Sequence, residues 1–284
     1  MLLPSFIYNV KGKNDHKHYV YSFFIILFSY VIAGTFLYTV VTSFILSPSS
    51  AVSFGLSHLF NICWIAGLWI SVAKIHKRSF LTLITNERTF CWHFFYRSFF
   101  TVFFLLFLSQ LINFSLFPHF YILQHIEWTR FLFFALLSIS LVPMQVLSEE
   151  LFFRGFLLQW WGKVCFSPLW LAICSGLFFG SLHFMNPEMN VSFFLVGFQY
   201  VFVGFILSYI TIKANRSELA IGAHTANNLF IALFLGDVHS VHGLLPSLFI
   251  VEDQNAFWSL CLTMFVFLSF YVFSSRYFNE KRAA

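Results

Sequence analysis

Stretches of about twenty or more apolar residues recur along the whole chain, separated by short polar segments. A helix needs about twenty such residues to cross the hydrocarbon core of a bilayer. A helix on the surface of a soluble domain needs only one apolar stripe. Charged residues make up 10 % of the 284 positions and hydrophobic residues 59 %, whereas soluble domains carry about a quarter charged residues. The polar surface needed to cover a soluble globule of this size is missing. The runs therefore predict an all-α fold, a polytopic transmembrane helical bundle.

Scanning for such runs places about eight spans, at 19–46, 51–73, 98–118, 130–161, 168–185, 191–212, 217–236 and 255–275. Residues 1–18 form an N-terminal segment, 19–275 the bundle and 276–284 a tail. The fourth run is long enough to tilt or to project beyond the membrane. The first run, from Tyr19 to about Leu46, exceeds the apolar core of a cleaved signal peptide and reads as a retained span. Segment 79–97, with Trp92, Phe94, Phe95 and Tyr96 among polar residues, reads as an interfacial helix.

Lys and Arg accumulate on cytoplasmic loops, and this bias orients the chain. With the N-terminus inside, fourteen of the sixteen basic residues fall on one side in an eight-span arrangement, which puts both termini in the cytoplasm. Arg130 falls outside and Arg154 inside a span, while Glu127, Glu188, Asp237, Glu252 and Asp253 lie on the outer loops. The basic pI near 9.0 therefore marks a membrane face and not a nucleic-acid partner. In a prokaryote the expected location is the plasma (inner) membrane. The five cysteines, Cys63, Cys91, Cys165, Cys174 and Cys261, include no CxxC pair and read as small buried hydrophobes.

Ionisable residues inside spans are costly, about 2.5–3.5 kcal/mol each at a helix centre on insertion scales. Three of them nevertheless occur together in the fourth run: Glu149, Glu150 and Arg154, within SEELFFRGF. Glu150 and Arg154 are four apart and can pair on one helix face. Glu149 is rotated about 100° away and keeps no partner at that spacing. His183 closes the stretch FFGSLH, preceded by the Gly176–Gly180 pair that lets a neighbouring helix approach. His224 opens HTANN, with Asn228 one turn on. His58 has no polar companions of this kind in its span and reads as a packing residue. Counting 1.5 Å per residue from the presumed cytoplasmic interface puts Glu149 roughly 16 Å, His183 roughly 22 Å and His224 roughly 12 Å deep. Those depths permit one cavity in the cytoplasmic half.

EELFFRG, FGSLH and HTANN, in this order on successive apolar helices, resemble the three motifs of the CPBP family. These are the CAAX-processing and bacteriocin-processing intramembrane endopeptidases, also called the Abi family, with patterns EExxxR, FxxxH and HxxxN. Here the matches are Glu149-Glu150-xxx-Arg154, Phe179-xxx-His183 and His224-xxx-Asn228. They fall within 140–236 and define a core of about 130–236. The resemblance implies that Glu149 is the base that activates water, assisted by His183. It further implies that His224 and Asn228 stabilise the oxyanion, and that Glu150 and Arg154 hold the geometry.

Elementary chemistry leads to the same assignment, because peptide hydrolysis needs a base for water and donors aimed at the developing oxyanion. Glu149, His183 and His224 also make a possible zinc ligand set with an open position for water. Catalysis by a metal-free glutamate and by zinc both stay open at this point. The expected partners are the bilayer and a peptide, lipidated-protein or membrane-protein substrate cut near the cytoplasmic face. Intramembrane Glu, His and Arg also mark proton- or ion-coupled transporters, against which stands the lack of an internal repeat. A non-catalytic relative acting as an immunity factor or scaffold is the third alternative.

Overall fold

The apolar runs fold as helices because the bilayer core offers backbone N–H and C=O groups no partner except one another. A computed structural model describes residues 5–237, 245–252 and 255–278. In it α1 spans His16–Thr42, α2 Ser50–Ile75, α3 Trp92–Leu116, α4 Trp128–Trp161, α5 Pro168–Ser181, α6 Phe193–Ala214, α7 Glu218–Phe234 and α8 Ala256–Tyr277. All eight expected segments are helical. Six of them are long and apolar enough to cross a membrane.

The expectation of eight spans is thereby corrected to about six by length and composition. The exceptions are α5, with 14 residues, and α7, with 17. The reason is local in each case. The α-helical part of α5 ends at Ser181, and His183 lies in the turn that follows. In α7, polar His224, Thr225, Asn227 and Asn228 dilute the apolar run, and most of the helix is buried by its neighbours instead of facing lipid. Segment 79–97 also departs from expectation. Only Phe80–Leu83 forms a short 3-10 turn, and Trp92 to Arg97 are the first turns of α3. A backbone bond from Ser217 to Ile84 and a bridge between Thr85 and Arg216 hold the irregular stretch against the start of α7.

Close helix contacts use glycine where a side chain would not fit. A Cβ at Gly176 would lie 2.6 Å from the backbone nitrogen of Phe205, and one at Gly180 would lie 2.9 Å from that of Val201. Both glycines press α5 onto α6, as small residues do in membrane bundles. Phe152, Phe153, Phe156 and Phe179 pack with Leu151 and Val146 in the main buried cluster, which surrounds the charged part of α4.

The two ends of the bundle differ. At one end the one-turn helix Ser5–Tyr8 tucks under the bundle, with Phe6 and Ile7 buried. The backbone N–H of Phe6 donates to Asn215 Oδ1 at 2.8 Å, and the backbone N–H of Lys13 donates to the His76 carbonyl at 2.8 Å. Gln159, fully buried, accepts from Arg78 at 2.8 Å and donates to the carbonyls of Phe6 and Thr82. Arg97 lies over the ring of Tyr277 at 4.6 Å. The described residues of every basic loop therefore gather at this end. The other end carries a small three-stranded sheet, an addition to the expected all-α fold. In it β1 (Tyr121–Leu123) is antiparallel to β3 (Phe249–Val251), and β3 is parallel to β2 (Leu235–Gly236). Lys281 and Arg282 of the expected tail lie outside the described residues.

Candidate active site

Helix α4 supplies the acidic residues. Its α-helical hydrogen bonding gives way to a π-helical stretch at Leu151–Leu157, all seven residues of which are buried. Such local widening is frequent at functional sites. Glu150 and Arg154 flank the transition and meet at 3.0 Å with both side chains fully buried. Arg154 also donates to the Gly204 carbonyl of α6 at 3.3 Å, and its guanidinium lies 4.8 Å from the centre of the Phe179 ring. The expected Glu150–Arg154 pair is present, and a second contact joins it. His224 Nδ1 lies 2.7 Å from Glu150 Oε1, so one carboxylate oxygen ties α4 to α7. A ring nitrogen facing a carboxylate at this distance is its N–H, which fixes the orientation of the imidazole.

That orientation aims His224 Nε2 at Glu149, 3.8 Å away, beyond direct hydrogen bonding. The side chain of Glu149 is 12 % exposed, whereas that of Glu150 is sealed. Glu149 accepts from Gln145 at 3.2 Å. Adjacent in sequence, the two glutamates thus occupy opposite situations: one locked into a buried network, the other presented to open space.

His183 sits in the turn after α5. Its Nδ1 faces the Phe179 carbonyl at 2.8 Å, and its ring stacks on Tyr200 at 4.4 Å and 19°. A carbonyl only accepts, so Nδ1 is the donor, and Nε2 of the neutral ring carries the lone pair. Phe179 thus connects both parts of the cluster, touching the rings of His183 and His224 and the guanidinium of Arg154. Asn228 accepts from the Asn227 side chain at 3.0 Å.

Glu149, His183, His224 and Asn228 all line one cavity of about 1300 Å³. Asn227, Tyr200 and Gln145 line it too and were missed in the sequence. The doubled asparagine in HTANN was a visible signal for Asn227. No spacing rule links Tyr200 to His183, because they belong to different elements. The rim of the cavity faces away from the basic loops, while Glu149 and His224 lie in the halves of α4 and α7 nearer to them, the half expected for them. Residues 74–90, 154–177 and 204–223 contribute nothing to its wall, and residues 186–191 and 235–237 do. The earlier depths assumed straight, full-length spans, and α5 is too short to be one.

The zinc set of Glu149, His183 and His224 does not assemble. Among the described residues no group of three or more His, Cys, Asp or Glu side chains is arranged to hold a metal ion. The Nδ1 atoms of the two histidines are engaged by Phe179 and Glu150, which leaves Nε2 of each ring for substrate, water or a ligand. His58, buried, has Nδ1 at 2.7 Å from the Phe54 carbonyl and also adjoins Gln145, the residue that donates to Glu149, so it borders the cluster, which its sequence had not suggested.

A bundle of apolar helices enclosing a glutamate, two histidines and an asparagine around a cavity defines a class, the polytopic membrane proteins with an intramembrane polar site. Residues 128–230, which include all three motifs, match the family described as type II CAAX prenyl endopeptidase Rce1-like. The chain is also 36 % identical over 281 residues to the uncharacterized protein YyaK of Bacillus subtilis (strain 168), with 94 % of each chain covered. No solved structure matches it. The chain belongs to the CPBP, or CAAX-protease, family of integral membrane proteins.

Proposed function

We propose that the protein is an intramembrane endopeptidase that hydrolyses a peptide bond with Glu149 as the base for the attacking water. The observation that carries this reading is the convergence of Glu149, His183, His224 and Asn228, from three separate elements, on one cavity inside the bundle. Water held beside Glu149 gives up a proton to the carboxylate as its oxygen bonds to the scissile carbonyl carbon. His183, with Nδ1 engaged by the Phe179 carbonyl, keeps Nε2 to orient that water. His224 Nε2, when protonated, and the Asn228 amide donate to the oxyanion, the largest single contribution such sites make. Collapse of the tetrahedral species breaks the C–N bond, and the proton held by Glu149 passes to the departing amine. Glu150 and Arg154 act by position. They hold His224 and keep the Glu149 side of α4 turned to the cavity.

The substrate is a polypeptide, whether a free peptide, a lipidated tail or a segment of a membrane protein. The test uses purified protein in lipid nanodiscs with a library of internally quenched peptides, with and without a prenyl group. Wild type should cleave some member and Glu149→Gln none, with the cleavage surviving exhaustive chelation. Equal cleavage by Glu149→Gln would remove the base from its role. Loss of cleavage on chelation, restored by zinc, would replace the metal-free scheme.

A further inference from the structure

The two ends of the site cavity are built differently, and the difference bears on which side the substrate comes from. At the end that holds the basic loops the bundle is closed by its own chain. Leu83 packs against α4 so tightly that a Cβ on Gly155 would lie 2.5 Å from the Leu83 carbonyl oxygen. Phe6, Ile7 and Leu83 are each no more than 2 % exposed. Gln159 is fully buried among Phe6, Arg78 and Thr82, joined to each by hydrogen bonds. No residue of these segments reaches the cavity wall.

Residues 23–31 of α1 and 142–153 of α4 carry the wall down into the half nearer the basic loops, and the rest of it is drawn largely from the opposite end. Helix α2 starts there and contributes only residues 54–64, α6 only 196–203 and α8 only 256–266, each nearer its start than its finish. Helix α3 runs the other way and contributes only 106–110, near its finish at Leu116. The connecting segments 186–191 and 235–237 complete the rim. Phe23, Phe152 and Phe153 line the cavity on the side of Glu149 nearer the basic loops, and the rim segments 186–191 and 235–237 belong to none of those loops.

Of the fourteen Lys and Arg residues described, twelve belong to the closed end, the exceptions being Arg130 and Arg154. Positive charge of this kind stays in the cytoplasm. We infer that the active site is entered from the non-cytoplasmic face, and that its substrate is a polypeptide segment presented at that face. A tail reaching up from the cytoplasm would meet the closed end. This rests on the endopeptidase reading for the word substrate, but the direction of access rests on fold and charge alone.

The test separates the two. On a background with all five native cysteines replaced by serine, single variants Gln199→Cys inside the cavity, Asn190→Cys at its rim and Lys163→Cys at the basic end are prepared. Each is treated with a membrane-impermeant maleimide in intact cells and in inverted membrane vesicles. The expected result is labelling of Gln199→Cys and Asn190→Cys in intact cells, and of Lys163→Cys only in inverted vesicles. Labelling of Gln199→Cys only from the Lys163 side would overturn the inference. So would reversal of the Asn190 and Lys163 arms, or protection of Gln199→Cys on both sides while Asn190→Cys reacts. The same pattern in Glu149→Gln protein is expected, since access does not depend on which group is the base. A failed catalytic assignment therefore leaves this result standing.

Discussion

Arg154 and Glu150 are charged side chains with no exposed surface. Taking two charges out of water is repaid only when each finds several partners. Glu150 finds Arg154 and His224, and Arg154 adds the Gly204 carbonyl and the Phe179 ring. Arg154→Ala should therefore destabilise the fold by about 3–5 kcal/mol, the range for broken buried pairs. Thermal unfolding of detergent-purified protein would register the loss, together with a reduced yield of inserted protein. Glu149→Gln should leave the same unfolding midpoint nearly unchanged, because Gln keeps the shape and a partner for Gln145. At the closed end, His76 is buried beside Arg78. Burial first, and then that guanidinium, push its imidazole down from 6.5 to about 4. The unfolded chain then binds the proton more readily than the native one. His76 thus contributes stability that is full above pH 6.5 and is lost as pH falls towards 4. The unfolding midpoint should drop over that interval, and His76→Gln should flatten the slope.

Among the elements, α5 and α6 depend on contact at Gly176 and Gly180, and α5 carries His183 at its end. Gly176→Leu should push the pair apart and cost about 1–3 kcal/mol, the range for overpacking a filled site. It should also displace His183 from Tyr200, so that activity falls further than stability does. An unchanged unfolding midpoint in this variant would show that the close approach is not needed. The GxxxG spacing made this contact legible in the sequence, as apolar run length did for all eight helices. Apolar length could not reveal that α5 and α7 are short, α7 as a largely buried inner helix and α5 with one face exposed through Leu169, Trp170, Cys174 and Leu177. Run length measures how far hydrophobicity extends, and a helix covered by other helices needs no full span. The irregular path of 79–91 was hidden for a related reason. Its shape is set by bonds from Ile84 and Thr85 to the distant residues Ser217 and Arg216, which no local pattern encodes.

For the molecule as a whole, the site was legible as residue types and not as an arrangement. An intramembrane Glu, Arg, His or Asn stands out because the bilayer makes each expensive, and of the motif residues Glu149, His183, His224 and Asn228 reach one cavity while Glu150 and Arg154 stay buried behind it. Spacing along helices is one-dimensional information, so it could pair Glu150 with Arg154 but not with His224. Nor could it reveal Tyr200 beneath His183, or the side to which the cavity opens. The central claim is that Glu149 performs proteolysis inside this bundle. The most direct measurement compares peptide termini in membranes of cells producing wild-type protein with those producing Glu149→Gln at equal level, by quantitative mass spectrometry. New termini should appear with wild type and vanish with Glu149→Gln, while the uncut parent accumulates. Identical termini in both, with both proteins inserted and folded, would contradict it.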